Sequence, residues 1–139
     1  MFFRVVTFAL AVIVMSSSGI ADPSYKKVET LLSTSRTNQG QAIAYPTQTP
    51  ARVSSVIVTL EPGESTARHR HQVPLFAYIL QGELRVNYEG HDTKKYKAGD
   101  ALIEARDIWH QGTNTGSTPV RILAVFMGAD GVKGTIVAK

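Results

Sequence analysis

Between residues 53 and 127 the sequence is a succession of short runs with strand character, separated at regular intervals by turn signals. The clearest run is residues 53–60, VSSVIVTL, which is rich in β-branched side chains. Turn signals at Gly82, Gly90 and Gly99 separate the runs that follow. Short strands at such spacing are typical of a β-sandwich or a β-barrel, so the sequence predicts a single all-β domain.

Several further strands are predicted around the first. They comprise residues 66–71, 75–81, 84–88, 93–96, 101–104, 109–113 and 120–127. The stretch 27–35 is ambiguous, because its apolar residues have helical spacing whereas its serines and threonines favour extended structure. We interpret it as a strand, since the rest of the chain is β. Residues 41–45 form another short candidate strand, which ends at Pro46.

Three of the four histidines, His69, His71 and His110, lie within or beside these predicted strands. Residues two apart in a strand point to the same face, so His69 and His71 present two imidazoles side by side. Paired imidazoles are good ligands for transition metals such as zinc, copper, iron and nickel. His110 completes a three-nitrogen set if the fold brings it alongside the pair.

The histidines belong to two short motifs whose spacing resembles the two motifs of the cupin superfamily. The matching residues are Gly63, His69, His71 and Gly82 in the first motif, and Gly99, Asp100, His110 and Asn114 in the second. The resemblance spans residues 53–127 and implies a cupin-like antiparallel jelly-roll β-barrel with both motifs lining one metal-centred pocket. It implies that His69, His71 and His110 hold a divalent transition metal, with Fe, Mn, Zn, Ni and Cu all open.

The chain departs from the family pattern at three positions. Leu75 stands where the first motif usually carries a glutamate ligand, and Ala105 and Asp107 stand where the second usually has proline and glycine. The change at Asp107 is mild, because aspartate tolerates turn conformations better than most residues. With leucine at position 75 in place of glutamate, the site has no fourth protein ligand and no negative charge. Three neutral imidazoles would then bind a divalent cation whose charge the protein does not neutralise.

A three-histidine site of this kind is expected to hold metal more weakly and to leave more positions open to a ligand. It resembles, in ligand set only, the site of cupin dioxygenases such as the cysteine and acetylacetone dioxygenases. We therefore predict an exported metal-binding cupin that binds or acts on a small, oxygen-rich molecule. The alternatives are a non-catalytic module that holds a metal or small ligand, and a decayed site whose pocket takes an apolar ligand or none.

Each candidate residue also has a plain structural interpretation. His69 and His71 could be exposed polar residues, and His110 could be a buried histidine bonded to a backbone carbonyl. His91 lies in a hairpin tip and is expected to be solvated, whereas Trp109 and Tyr78 are expected to be core or interface residues. The catalytic residues remain unknown, because the sequence does not reveal whether Glu64, Glu83 or Glu104 faces the pocket.

Residues 1–21 have the features of a signal peptide: Arg4, an apolar run shorter than a bilayer requires, and the small-residue exit Gly19-Ile20-Ala21. Cleavage after Ala21 predicts a periplasmic or secreted protein, with an uncleaved membrane anchor as the alternative. Residues 22–52 would then form an N-terminal segment, 53–127 the barrel and 128–139 a C-terminal segment.

Loss of Arg4 lowers the net charge from +4 to +3, which gives no case for nucleic acid. Without cysteine, no disulfide contributes to stability.

The predicted strand 75–81 is apolar on both faces, with Phe76, Tyr78 and Leu80 on the face that points away from the pocket. A strand that is apolar on both faces is normally buried on both. The cover would be either residues 27–35 of the same chain or a second subunit. Because cupins are often dimers, we predict a homodimer.

Overall fold

The computed structural model describes residues 27–47 and 50–139. The chain divides into two compact units, Met1–Thr30 and Leu31–Lys139, and every strand of the described residues belongs to the second. The strands are β1 (Ala51–Leu60), β2 (His69–His71), β3 (Leu75–Gln81), β4 (Glu83–Tyr88), β5 (Lys94–Lys97), β6 (Ala101–Ile103), β7 (His110–Asn114), β8 (Val120–Ala129) and β9 (Thr135–Val137). Nowhere in these ranges does a helix occur that has the length and apolarity needed to cross a membrane. The predicted signal peptide lies outside the described residues.

The nine strands form two antiparallel sheets. One sheet has the order β1-β8-β3-β6, and the other has the order β5-β4-β7-β2-β9. Most neighbouring strands are not consecutive in sequence, as in β1 and β8, where Ala51 lies opposite Ala129, whereas β4 and β5 form a hairpin. This arrangement confirms the predicted all-β antiparallel jelly roll.

Strand alternation divides each sheet into an inner and an outer face. In β4 exposed and buried residues alternate without exception, and in β3 Leu75, Ala77 and Ile79 are buried. The inner faces of both sheets form one hydrophobic core. Its buried members are Leu60, Leu75, Ala77, Ile79, Leu84, Val86, Tyr88, Leu102, Ala105, Val120, Ile122 and Ala124. Burial of these side chains is the main source of stability in a chain without disulfides.

The turn between β3 and β4 depends on Gly82, the last residue of the first motif. Gly82 has φ +82°, a conformation that side chains other than glycine rarely adopt. A Cβ atom there would lie 2.7 Å from the carbonyl oxygen of Pro119 and 2.9 Å from a methyl group of Val120. Glycine is therefore required both by the backbone conformation and by the close approach of the β7–β8 connection.

The predictions for the N-terminal segment were wrong. Residues 27–35 form no strand, and 41–45 contribute only a single bridge, Arg36 to Ala42. Most side chains of residues 31–36 are exposed, so their serines and threonines gain nothing from the packing that makes such residues favour strands. The opposite error occurs at the other end of the chain, where β9 was not predicted.

The outer face of the four-stranded sheet retains exposed apolar side chains. Val53, Ile57 and Leu80 are 68%, 47% and 42% exposed. Phe76 and Tyr78 are half-buried on the same face, next to Val125 and Leu123 in the ladder between β3 and β8. The short segment 31–35 is itself largely exposed. The described part of this unit therefore leaves an apolar sheet surface facing outward.

Candidate metal centre

The three histidines come together because their strands are neighbours in one sheet. β2 pairs with β7, and His69 lies directly opposite His110 in that ladder. His71 follows His69 by two residues and so shares its face of β2. Two motifs about forty residues apart in sequence thus deliver three imidazoles to the same patch of the inner face.

The imidazole rings contact one another. Their ring centroids are separated by 4.4 Å for His69 and His110, 4.9 Å for His69 and His71, and 5.0 Å for His71 and His110. One ring nitrogen from each histidine lies within 4.8 Å of those of the other two. The structure therefore brings together all three residues that the sequence singled out, as a cluster with the composition of a metal site.

Backbone hydrogen bonds fix the orientation of each ring. The Nδ1 atoms of His69 and His110 lie 2.7 Å and 2.8 Å from the carbonyl oxygens of Ala67 and Ile108. The Nδ1 atom of His71 lies 3.3 Å from the carbonyl oxygen of Gly134. A carbonyl oxygen can only accept, so Nδ1 carries the hydrogen in His69 and His110. In these two rings the lone pair for a metal is then on Nε2, as is usual for metal-binding histidines. Nδ1 of His71 also lies 3.2 Å from the hydroxyl oxygen of Thr135, which can either donate or accept.

Burial also favours neutral rings. Desolvation, reinforced by the neighbouring His110 and His69, lowers the pKa of His71 to about 3. The pKa of His69 is lowered as well, mainly by desolvation, although the bond to Ala67 and the charge of Glu104 oppose the change. Because a metal binds the neutral imidazole, His69 and His71 need to lose no proton at neutral pH before they bind one.

The histidines line part of the wall of a cavity of about 290 Å³ between the two sheets. The other side chains of its wall are mainly apolar, and they include Leu75, Ala77 and Ile79 from β3 and Ile122 and Ala124 from β8. Leu75 is only 4% exposed and points into this cavity. The volume is at the lower end for small-molecule sites, which suits a small ligand.

Glu104 is the acidic residue that reaches this cavity. It follows β6, is 8% exposed and contributes to the wall. Its Oε1 atom accepts hydrogen bonds from the hydroxyl of Tyr88, the side-chain amide of Asn38 and the backbone N–H of Ala105. Glu64 and Glu83, the other two acidic residues that the sequence left open, are exposed. The structure therefore decides which of the three faces the pocket.

The remaining residues of the two motifs have structural roles. Asn114 is buried, and its side-chain amide donates to the carbonyl oxygens of Leu60 and Thr118, which holds the turn after β7. Asp107 has φ +54°, the left-handed conformation that a glycine would adopt. Its substitution for glycine therefore preserves the turn.

The neighbours of the ligand residues point to the opposite face, as strand alternation predicts. The ring of Trp109 stacks against the guanidinium groups of Arg68 and Arg70, at 4.6 Å and 5.1 Å from the ring centroid. Such contacts are stabilising cation–π interactions. His91 is exposed in its hairpin and lies apart from the cluster.

Two contributors to the site were not predicted from the sequence. β9 pairs with β2, and its residues Thr135 and Val137 line the cavity. Asn38 lies in the turn after residue 36, and its side-chain amide donates a hydrogen bond to Glu104, which is 66 positions away in sequence. The β-branched run Thr135-Ile136-Val137 was a signal for a strand, but the role of Asn38 had no local signal because it depends on tertiary contact.

Comparison with known families supplies the deciding observation. A family profile described as a cupin domain (Cupin_2) matches residues 56–126, about half of the chain, and includes both histidine motifs. This chain is a cupin. The match begins in β1 and ends in β8, so it covers all strands that surround the cavity except β9.

Solved structures support the same family. This cupin is similar to the oxalate decarboxylase of Bacillus subtilis, in a structure concerned with its Mn(II) centres, with 27% identity and a TM-score of 0.55 over 61% of this chain and 23% of that chain. It is also similar to the formate complex of Lactobacillus farciminis oxalate decarboxylase, with 26% identity and a TM-score of 0.54 over 61% and 26%. The cupin thus corresponds to about a quarter of the length of these enzymes. No curated protein sequence matches it significantly.

Proposed function

We propose that this cupin binds one divalent transition metal through His69, His71 and His110, and that the metal holds a small oxygen-containing molecule in the cavity. The observation that carries this proposal is the shared hydrogen-bond pattern of the three rings. Each ring places Nδ1 beside a backbone carbonyl oxygen, and one nitrogen of each ring lies in a single cluster. A carbonyl oxygen at every Nδ1 favours the tautomer that leaves Nε2 free to bind a metal.

The donor set fits several metals. Imidazole nitrogen suits iron, nickel, copper and zinc, and similarity to a manganese-containing decarboxylase adds manganese to these. When bound, such an ion supplies Lewis-acid polarisation of an oxygen ligand. With Leu75 in the wall near the three histidines, the described protein groups offer no fourth ligand in the cluster, so the remaining positions are available to a small molecule.

Two functional classes follow from this site. In the first, the cupin is an enzyme for which Glu104 supplies the polar group beside the metal. In the second, it is a non-catalytic module, a class favoured by the apolar cavity wall and by the single acidic side chain in it. The two classes share the metal centre, so the metal is the part to test first.

The test is metal content and metal affinity. Elemental analysis of protein purified from its native compartment is expected to show about one transition-metal ion per chain. Calorimetric titration of the metal-free protein is expected to show one site. Because the pKa of His71 is near 3, His71 should cause no loss of affinity between pH 8 and pH 6, and the lowered pKa of His69 should make its contribution to any loss smaller than that of an ordinary histidine. Protein that takes up no metal under any of these conditions would refute the proposal.

We further propose a homodimer that buries the outer face of the four-stranded sheet, where Ile57, Tyr78 and Leu80 remain partly or largely exposed. Burial of apolar area drives such association. Light scattering at micromolar concentration is expected to give twice the chain mass, and Leu80→Lys to give a monomer. A monomeric parent would contradict the prediction, and His91→Lys on the far hairpin is the control that should remain a dimer.

We also propose that the chain is exported, on the strength of the signal-peptide features of residues 1–21. The intact mass of the protein recovered outside the cytoplasm is expected to correspond to a chain that begins at Asp22. A mass that retains residues 1–21, in protein released only by detergent, would instead indicate a membrane anchor.

A further inference from the structure

Glu104 brings a carboxyl group into a cavity whose wall is otherwise mainly apolar. The side chain is 8% exposed and lines the cavity together with residues such as Leu102 and Phe126. A buried carboxyl group is costly unless hydrogen bonds compensate for the loss of water. Hydrogen bonds to protein groups are distributed very unequally between its two oxygen atoms.

The Oε1 atom is held by three donors. The hydroxyl of Tyr88 donates at 2.6 Å, the side-chain amide of Asn38 at 3.0 Å, and the N–H of Ala105 at 2.9 Å. The same amide lies 2.6 Å from the hydroxyl of Tyr88 and 2.8 Å from that of Tyr96. Burial raises the pKa of both tyrosines, so their hydroxyl groups stay protonated. This network fixes the carboxyl group in one orientation.

The Oε2 atom, in contrast, makes no hydrogen bond with any residue in 27–47 or 50–139. It is also not among the sealed, partnerless polar atoms of these ranges, which are Asn38 Oδ1, Arg70 Nε and Arg106 Nε. Oε2 therefore keeps some exposed surface, and because Glu104 lines the cavity, Oε2 is the oxygen available to a molecule inside it. The network thus presents one oriented acceptor to whatever occupies the cavity.

This acceptor lies close to the cluster of three histidines. Tyr88 is directly opposite His110 in the ladder between β4 and β7, and the two rings are 5.3 Å apart between centroids. The hydroxyl of Tyr88 is bonded to Glu104, and the charge of Glu104 acts on His69. The carboxyl oxygens nevertheless do not belong to the cluster of candidate metal-binding atoms. Glu104 is therefore beside the metal centre without being part of it.

We propose that Glu104 is a positioning residue whose Oε2 accepts a hydrogen bond from a hydroxyl group of the metal-bound molecule. The inference rests on the proposed metal-binding function and names the class of ligand. The ligand is a small, mainly apolar molecule with two adjacent oxygen atoms, one bound to the metal and one a hydroxyl that faces Glu104. The apolar wall holds its body, and the acceptor excludes molecules that present a carbonyl or ether oxygen at that position.

The test compares two probes on the zinc-loaded protein, because zinc has no redox chemistry of its own. Catechol carries two adjacent hydroxyl groups, whereas guaiacol carries one hydroxyl and an adjacent methyl ether, whose oxygen is a poor metal ligand and would face Glu104. The parent is expected to prefer catechol. Glu104→Gln keeps the carbonyl acceptor for Tyr88, Asn38 and Ala105 but replaces Oε2 by an amide donor. It should weaken catechol binding about tenfold to a hundredfold and strengthen guaiacol binding, so that the preference reverses.

Controls separate this role from a purely structural one. Glu83→Gln, at an exposed glutamate, should leave both probe affinities unchanged. All probe affinities are measured at saturating zinc, because loss of the buried charge of Glu104 can itself weaken zinc binding. If Glu104→Gln does not fold, Tyr88→Phe replaces it and should narrow the preference for catechol, because Oε1 loses its shortest bond. Zinc binding with an unchanged probe preference would overturn this inference alone. A parent that binds no metal would overturn it together with the proposed function.

Discussion

Replacing His110 by alanine is expected to lower the affinity for divalent metal at least about a hundredfold. Loss of an outer-shell partner typically lowers metal affinity by about tenfold to a hundredfold, and loss of a direct ligand should cost no less. His110 supplies one of only three nitrogens in the cluster, and no described side chain in the cluster can replace it. At a metal concentration that is a hundred times the parent's dissociation constant, the parent gains about 2.7 kcal/mol of stability. The variant would gain only about 0.4 kcal/mol under the same conditions.

Thermal melts with and without metal, together with calorimetric titration, measure this difference. His91→Ala is the matched control, because His91 is an exposed histidine outside the cluster. It should retain the parent's metal affinity and metal-induced shift in melting temperature. Equal metal affinity in His110→Ala and the parent would show that the cluster is not the binding site.

Replacing Leu75 by glutamate is expected to have opposite effects in the presence and absence of metal. Leu75 is 4% exposed in the cavity wall that the three histidines share. A carboxylate there would add an oppositely charged ligand, and we expect metal affinity to rise about tenfold, which corresponds to about 1.4 kcal/mol. Without metal, the buried carboxyl group should cost about 1–3 kcal/mol of stability and lower the melting temperature.

Two variants control for charge and for position. Leu75→Gln has nearly the same shape as glutamate but no charge, so it should be destabilised without a gain in metal affinity. Ile79→Glu places the carboxyl group on the same face of β3, four residues or about 13 Å further along the strand. It should be destabilised with and without metal. Equal destabilisation of Leu75→Glu under both conditions, in a protein that binds no metal, would leave a cupin whose cavity serves an apolar ligand or none.

The sequence predicted the elements that carry local signals. β3 was predicted with its observed bounds, and seven other strands were predicted within a few residues of theirs, because alternation and turn residues are visible locally. The histidine cluster was predictable because His69 and His71 share a face by strand geometry and the second motif supplied His110. In each case the relevant partner was either close in sequence or part of a recognisable motif.

The rest depended on contacts between distant residues. Residues 27–35 have the composition of a strand but lack a partner strand among the described residues, and composition cannot show this. Asn38, Tyr88 and Glu104 form one network although they belong to three separate segments. The face on which Glu104 lies could not be predicted, because residues 101–103 of the predicted strand are apolar on both faces, so alternation does not show which face is inward.

The order of strands in the two sheets has a consequence for folding kinetics. β1 pairs with β8, with Ala51 opposite Ala129, and β2 pairs with β9, with His69 opposite Val137. Pairing between such distant segments requires closure of long loops before any contact compensates the lost entropy, so folding in the range of about milliseconds to seconds is expected. The three imidazoles meet only once β2 has paired with β7. The complete three-nitrogen site therefore exists only after this pairing, so a metal that binds it would stabilise the chain after these two strands have met.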